Sequence, residues 1–207
     1  MQLKLIEGDA GRFSCSADLI FTDPPYEMGG SELARILERY DSSHLVLITT
    51  MRQLVDFLAV TDWHLAFDFV LDGVAPKKSK ANHQPNYLHQ TGVYLTKPGE
   101  KSRFSRKLRQ RSDVFVDNGY WPTIIRAPRD NSRHGMGKNV DSITDILGSF
   151  DAESVIDPFA GGGSVGLAAF ELDMDCTLIE MEHKNILSIQ QLFKFMGGRM
   201  DYVCLNS

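Results

Sequence analysis

Ser154-Val155-Ile156-Asp157-Pro158-Phe159-Ala160-Gly161-Gly162-Gly163-Ser164 is the stretch that decides the fold. A short β-branched run, Ser154 to Ile156, runs through Asp157 and Pro158 into three consecutive glycines. Amphipathic sequence follows from about Ser164, so the pattern is strand, glycine loop, helix. Glycines at this turn let the backbone approach a ligand closely, and the unpaired N–H groups at the start of the next helix face an anionic group such as a carboxylate or phosphate. Residues 161 to 166 fit G-x-G-x-x-G, and Glu180 closes the next apolar run at the distance where an acid accepts from ribose hydroxyls. A nucleoside-containing cofactor is expected, and by spacing alone a nicotinamide or flavin site is permitted too.

Outward from this unit the same alternation recurs. Leu3 to Ile6, Asp18 to Thr22, His44 to Thr49 and His64 to Leu71 read as strands. Between them Leu33, Ile36, Leu37 and Tyr40, then Met51, Leu54, Phe57 and Leu58, fall at helical spacing. Ile143, Ile146, Leu147 and Phe150 mark a further helix, with Asp141 and Ser142 as candidate caps. Cys176 to Glu180, a helix with Ile186, Ile189 and Phe193 inward, and Tyr202 to Leu205 complete the chain. The expected architecture is α/β: one doubly wound, mostly parallel Rossmann-like sheet covered by helices on both faces. With 207 residues and no internal repeat, a single domain is expected.

A second constellation, Asp23-Pro24-Pro25-Tyr26, directly follows the strand 18–22. Ligands of doubly wound sheets bind beyond the carboxyl ends of the strands, which is where this tetrapeptide falls. The two prolines stiffen the turn and remove two donors, so its carbonyls remain as acceptors. Asp23 adds a carboxylate and Tyr26 a flat ring. Together they suit a planar ring bearing an exocyclic amino group, with acceptors for its N–H donors and an aromatic face to stack on.

Net charge is −5, which on its own speaks against a nucleic-acid partner. The charges are segregated, however. From Pro76 to Lys138 there are 14 Lys and Arg against 4 Asp and Glu, a local +10, which leaves −15 on the remainder. Such asymmetry marks a polyanion-facing segment on an acidic body. This interval also holds five of the eight prolines and reads as an irregular insertion with short strands such as Gly92 to Thr96. Its densest run, residues 101–111, supplies Lys101, Arg103, Arg106, Lys107, Arg109 and Arg111 with no acid. Tyr87, Tyr94, Phe115, Tyr120 and Trp121 lie nearby to stack or pack. Three cysteines without C-x-x-C spacing argue against a disulfide framework or a zinc site, and no metal site is expected. The lack of a signal-peptide core or a membrane-length apolar run leads to the expectation of a soluble cytoplasmic protein.

Asp23-Pro24-Pro25-Tyr26 resembles the D-P-P-Y catalytic motif of S-adenosylmethionine-dependent methyltransferases that act on amino groups of DNA bases. Residues 157–164 resemble their D-P-F-x-G-x-G-[ST] cofactor loop. The order, with the catalytic motif first, a basic region second and the cofactor loop last, is that of the permuted beta group, so the resemblance spans nearly the whole chain. It implies 1–75 as a catalytic half, 76–138 as a target-recognition insertion and 139–207 as a cofactor-binding half. It further implies Asp9, Asp157, Phe159, Gly161, Gly163, Ser164 and Glu180 as cofactor-binding residues. Gly8-Asp9 is similar to the G-D that opens such sequences. His134 and Lys138 match an H-P-x-x-K-P element of the family, with Gly135 and Asn139 in place of both prolines. The expected cofactor is S-adenosyl-L-methionine and the expected partner is double-stranded or single-stranded DNA.

The activity so implied is methyl transfer to the 6-amino group of adenine with base flipping, in a restriction-modification or phage-type setting within a prokaryotic or phage-infected cell. Cytosine 4-amino transfer is the runner-up, because both rings offer an amino group, and RNA is a weaker alternative. A catalytically silent DNA-binding subunit is a reading of another class, opposed by the intactness of both motifs. A dehydrogenase is disfavoured by Asp157-Pro158-Phe159. The short insertion leaves little room for elaborate readout, which fits modest specificity or a homodimer.

Overall fold

The structure, a computed structural model, describes residues 1–77, 87–105, 121–127 and 139–204. Nine strands form one sheet: β1 (Leu3–Glu7), β2 (Leu19–Thr22), β3 (His44–Thr49), β4 (His64–Lys77), β5 (Tyr87–Thr96), β6 (Ile124–Arg126), β7 (Ser154–Asp157), β8 (Asp175–Glu180) and β9 (Asp201–Cys204). Five helices accompany them: α1 (Gly30–Leu37), α2 (Met51–Leu58), α3 (Val140–Leu147), α4 (Ser164–Glu171) and α5 (His183–Phe195). The strand order is β6-β4-β5-β3-β2-β7-β8-β1-β9. Only β5 runs antiparallel to its neighbours, so the expectation of a mostly parallel sheet holds.

Alternation within the strands divides the core into two layers, as a sheet buried on both faces requires. Leu45 and Leu47 pack with Leu33, Leu37, Leu54 and Phe57 of α1 and α2. Val46 and Ile48 lie in the opposite layer, with Ile143 and Ile146 of α3, Leu167 of α4 and Ile189 of α5. Two glycines set the closest approaches. A Cβ on Gly30 would come within 2.3 Å of the Phe57 backbone nitrogen, where α1 meets α2. A Cβ on Gly92 would meet the Phe69 ring at 2.3 Å.

Several local expectations shift. The cap of α3 is Asn139, whose side chain accepts from Ser142 N at 3.0 Å, while Asp141 lies in the first turn and Ser142 is buried. In α2 the buried positions are Gln53, Leu54 and Phe57, and Met51 is exposed. A polar residue thus occupies a position on the face that apolar spacing alone assigns to Met51. The interval 76–138, read as irregular, contributes β5 to the middle of the sheet, with Val93, Tyr94 and Leu95 wholly buried between β3 and β4. The polar His89-Gln90-Thr91 and the nearby prolines masked that strand. Cys176 is buried, Cys15 half-buried and Cys204 exposed on the edge strand.

At the amino end of the strands a polar network ties the segment after β5 to the body. Asp18 accepts from Glu153 N at 3.0 Å, Ser154 N at 3.1 Å, the Ser154 hydroxyl at 3.0 Å and Arg103 at 3.0 Å. Burial alone would raise the Asp18 carboxyl, but these donors outweigh it and hold it below its usual range. Buried His44 lies 2.8 Å from the Tyr94 hydroxyl, which itself accepts from Arg103 N at 3.0 Å. Burial, then the nearby Arg103 charge, pushes the His44 pKa down, which favours the neutral ring.

A second carboxylate, Glu7, takes hydrogen bonds from the Tyr202 hydroxyl and from His183 Nδ1 at 2.9 Å. The Tyr202 bond, then His183, lowers its pKa. Both acids therefore contribute stability that is complete above the unfolded carboxyl range and lost as pH falls through their depressed values. Denaturant unfolding between pH 7 and pH 3 should show stability declining on acidification, and Asp18→Asn combined with Glu7→Gln should flatten that decline.

Candidate active site

The chain leaves β2 through α1 toward β3 and leaves β7 through α4 toward β8, so the two adjacent strands feed opposite directions. Their carboxyl ends therefore open a crevice at the topological switch point, the place where ligands of such sheets bind. Both sequence motifs fall there: Asp23 to Tyr26 after β2, and residues 158–163 after β7.

The two loops are joined by a buried hydrogen bond. Thr22 Oγ1, at the last position of β2, donates to Asp157 Oδ1 at 2.8 Å, and that oxygen also accepts from Phe159 N at 3.0 Å. Asp157 is buried. It thus fixes the start of the glycine loop to the strand that carries the Asp23-Pro24-Pro25-Tyr26 turn. Ala160 N donates to Ile179 O at 2.9 Å and anchors the loop on the β8 side.

Each glycine of the loop meets a different demand. Gly161 has φ +51°, and among the described residues a Cβ there would have only Phe159 O within 4 Å, at 3.9 Å. Gly163 caps α4 at φ +79°, and a Cβ would meet Ile189 Cγ1 at 3.0 Å. On Gly166 a Cβ would lie 2.6 Å from Leu178, so this glycine lets α4 settle on the sheet. The cap of α4 is a glycine and makes no side-chain hydrogen bond to the N–H groups of the first turn. Gly163→Ala should cost about 1–2 kcal/mol for the left-handed backbone alone, read as a shift in the urea midpoint.

On the other flank of the crevice, β8 and β1 place Glu180 and Glu7 side by side in register. Glu180 Oε1 accepts from Glu182 N at 2.7 Å, and Gly8 N donates to Glu180 O at 2.9 Å. Asp9 caps a short 3-10 turn at Ala10–Arg12, accepting from Gly11 N at 2.8 Å, and is otherwise exposed. The glycine cradle, the N-terminus of α4 and the buried acid on β8 fit a nucleoside with an anionic tail.

In the Asp23-Pro24-Pro25-Tyr26 turn, the Tyr26 hydroxyl donates to Asp23 Oδ1 at 3.1 Å and accepts from the Gln90 side chain of β5. Burial, then the Asp23 charge, pushes the Tyr26 pKa up, so the phenol stays protonated and is no base. Gln53 of α2 donates to the carbonyls of Pro25 and Met28. Thr22, Gln53 and Gln90 were not singled out from sequence. The one available signal was a glutamine within an apolar helical face.

Asp9, Asp23, Pro24, Pro25, Tyr26, Asp157, Phe159, Gly161, Gly163, Ser164 and Glu180 all lie at the carboxyl end of the sheet. Lys101 and Arg103 lie at the opposite end, with Arg103 bound to Asp18 and to Asp151 O at 3.2 Å. His134, Lys138, Arg106, Lys107, Arg109 and Arg111 fall outside the described residues.

The sheet and its two helical layers have the Rossmann-like methyltransferase fold. Among solved structures it recurs in M1.HpyAVI in complex with SAM, which is 18% identical over 92% of this chain and 100% of that chain, with a TM-score of 0.67. TTHA0409 from Thermus thermophilus, assigned as a DNA modification methylase and crystallised with S-adenosyl-L-methionine, is 15% identical over 99% of each chain, with a TM-score of 0.71. The cytosine-N4-specific PvuII DNA methyltransferase is 14% identical over 100% of this chain and 96% of that chain, with a TM-score of 0.70. Neither a protein-family model nor a curated protein sequence matches this chain.

Proposed function

We propose that this chain is a DNA methyltransferase that transfers a methyl group from S-adenosyl-L-methionine to the exocyclic 6-amino group of adenine. The observation that carries the reading is the Thr22–Asp157 hydrogen bond, which joins an acceptor-rich D-P-P-Y turn to a glycine cradle in one crevice. The similar folds of M1.HpyAVI and TTHA0409, both crystallised with S-adenosyl-L-methionine, support it.

In this reading Gly161, Gly163 and Ser164 hold the cofactor backbone, Asp157 and Phe159 shape the loop, and Glu180 accepts from the ribose hydroxyls. Asp9 borders the same pocket, and His134 and Lys138 serve the carboxylate end. The cofactor supplies an electrophilic methyl carbon on sulfur. An amino lone pair delocalised into a purine is a weak nucleophile, so the residues of this chain must orient it. Asp23 and the Pro24 carbonyl accept the two amino hydrogens and favour a pyramidal nitrogen whose lone pair faces the methyl carbon. The bound cofactor would supply the methyl group and keep the electron pair of the broken C–S bond on sulfur, and the proton lost from the amino nitrogen would pass by way of Asp23 to water. Tyr26 stacks on the base, Pro25 stiffens the turn, and the base reaches them by leaving the duplex stack.

DNA phosphates are met by the basic interval, with Arg106, Lys107, Arg109 and Arg111 as its densest part; Lys101 and Arg103, expected from sequence to join them, stand at the opposite end of the sheet, where Arg103 fastens the start of the run to the body. DNA affinity should accordingly fall steeply with salt in a binding titration; a flat profile would remove the basic interval from the interface. The cytosine 4-amino group is the second reading, favoured by the likeness to the PvuII enzyme. Methylation-sensitive sequencing of DNA from cells expressing the protein separates the two: modified adenines in a recurring site support the proposal, and modified cytosines alone transfer it to the second reading.

A further inference from the structure

Gln53 is 2% exposed, and its side-chain amide is fully used. Its NH₂ lies 3.1 Å from Pro25 O and 2.9 Å from Met28 O, both acceptors, so both hydrogens are donated there. Its oxygen must then face Thr49, whose hydroxyl donates to it at 2.8 Å. Thr49 ends β3 and Gln53 lies in the first turn of α2, so two rigid elements hold the amide. The loop closes on itself through Met28 N to Pro25 O at 3.0 Å. Among the described residues, Pro24 O accepts no backbone hydrogen bond.

We propose that Gln53, oriented by Thr49, is a positioning residue of the Asp23-Pro24-Pro25-Tyr26 turn: it holds the Pro25 and Met28 carbonyls and so leaves the Pro24 carbonyl as the backbone acceptor for the target amino group. This rests on the methyltransferase reading for its chemistry but not for its geometry. A buried glutamine could instead serve stability alone, since a polar side chain under a loop satisfies buried carbonyls wherever it occurs. The position argues for more, because the two carbonyls held are in and just after the one turn that carries the acceptors.

Gln53→Met keeps length and apolar packing while removing both donors. Amide hydrogen exchange, which needs no activity, should show Met28, whose N–H donates to Pro25 O, exchanging about tenfold faster or more in this variant than in the wild type, with strand amides unchanged. Where the wild type transfers methyl groups, kcat should fall by about tenfold or more with the cofactor KM within about twofold, because misplacement affects the transition state more than cofactor binding. Thr49→Val, which keeps Gln53 and removes only its orienting hydroxyl, should move both readouts in the same direction by less, and it carries the test if Gln53→Met does not fold. Unchanged exchange overturns the proposal. Faster exchange with wild-type kcat overturns it as well, since the bonds would then order the turn without serving transfer. A wild type that methylates nothing refutes the methyltransferase reading instead, and exchange alone then decides whether Gln53 holds the turn.

Discussion

Replacing Asp23 by Ala is expected to lower methyl transfer by about 10²–10³-fold, the usual loss when one preorganised group that stabilises developing charge is removed. Asp23 is half-buried at the mouth of the crevice and already accepts from Tyr26 Oη, so its carboxylate is held in place before any substrate arrives. It lies between β2 and α1, outside both elements. The thermal midpoint and the affinity for S-adenosyl-L-methionine should therefore stay near the wild-type values, measured by calorimetry alongside single-turnover transfer. Asp23→Asn keeps an acceptor oxygen without the charge and should fall between the two. Loss of cofactor affinity in Asp23→Ala would place this carboxylate in the other half of the site.

Asp157→Ala is expected to act on the whole crevice. It removes the acceptor of the Thr22 hydroxyl and of Phe159 N, and a buried donor left without its partner costs about 1–3 kcal/mol, so the pair together removes about 2–6 kcal/mol. That is a large share of a stability of about 5–15 kcal/mol. Because Thr22 directly precedes Asp23, freeing it also unfastens the Asp23-Pro24-Pro25-Tyr26 turn from the glycine loop, and cofactor affinity and transfer should fall together. Asp157→Asn keeps the acceptor oxygen in place and should recover most of the stability. Equal losses in the Ala and Asn variants would mean that the charge, not the hydrogen bonds, holds the two loops.

Both loops were legible in the sequence because each is local: a strand, a few special residues and a helix within a dozen positions. Pro24 and Pro25 fix φ wherever they occur, and glycines 161–163 announce a turn before any partner is known. What joins the loops was not legible. Thr22 and Asp157 are 135 residues apart, and a threonine ending a strand is ordinary β sequence. Gln53 is visible only once α2 is set against the turn it supports. The antiparallel strand β5 was read short because Gln90 and His89 interrupt its apolar pattern, yet Gln90 is the residue that reaches the Tyr26 hydroxyl. Arg103 looked like one member of a basic run. Its place beside Asp18 at the far end of the sheet follows from a pairing 85 residues away that no local pattern encodes. The net charge was likewise a poor guide, since a −5 total conceals a +10 interval on a −15 body.

The most direct measurement is incubation of the purified protein with DNA and S-adenosyl-L-methionine carrying a labelled methyl group, followed by digestion to nucleosides. The account predicts label on the exocyclic nitrogen of adenine, reduced about 10²–10³-fold when Asp23→Ala replaces the wild type. Label on a ring carbon, or DNA left unlabelled by a protein that binds both ligands, would contradict it.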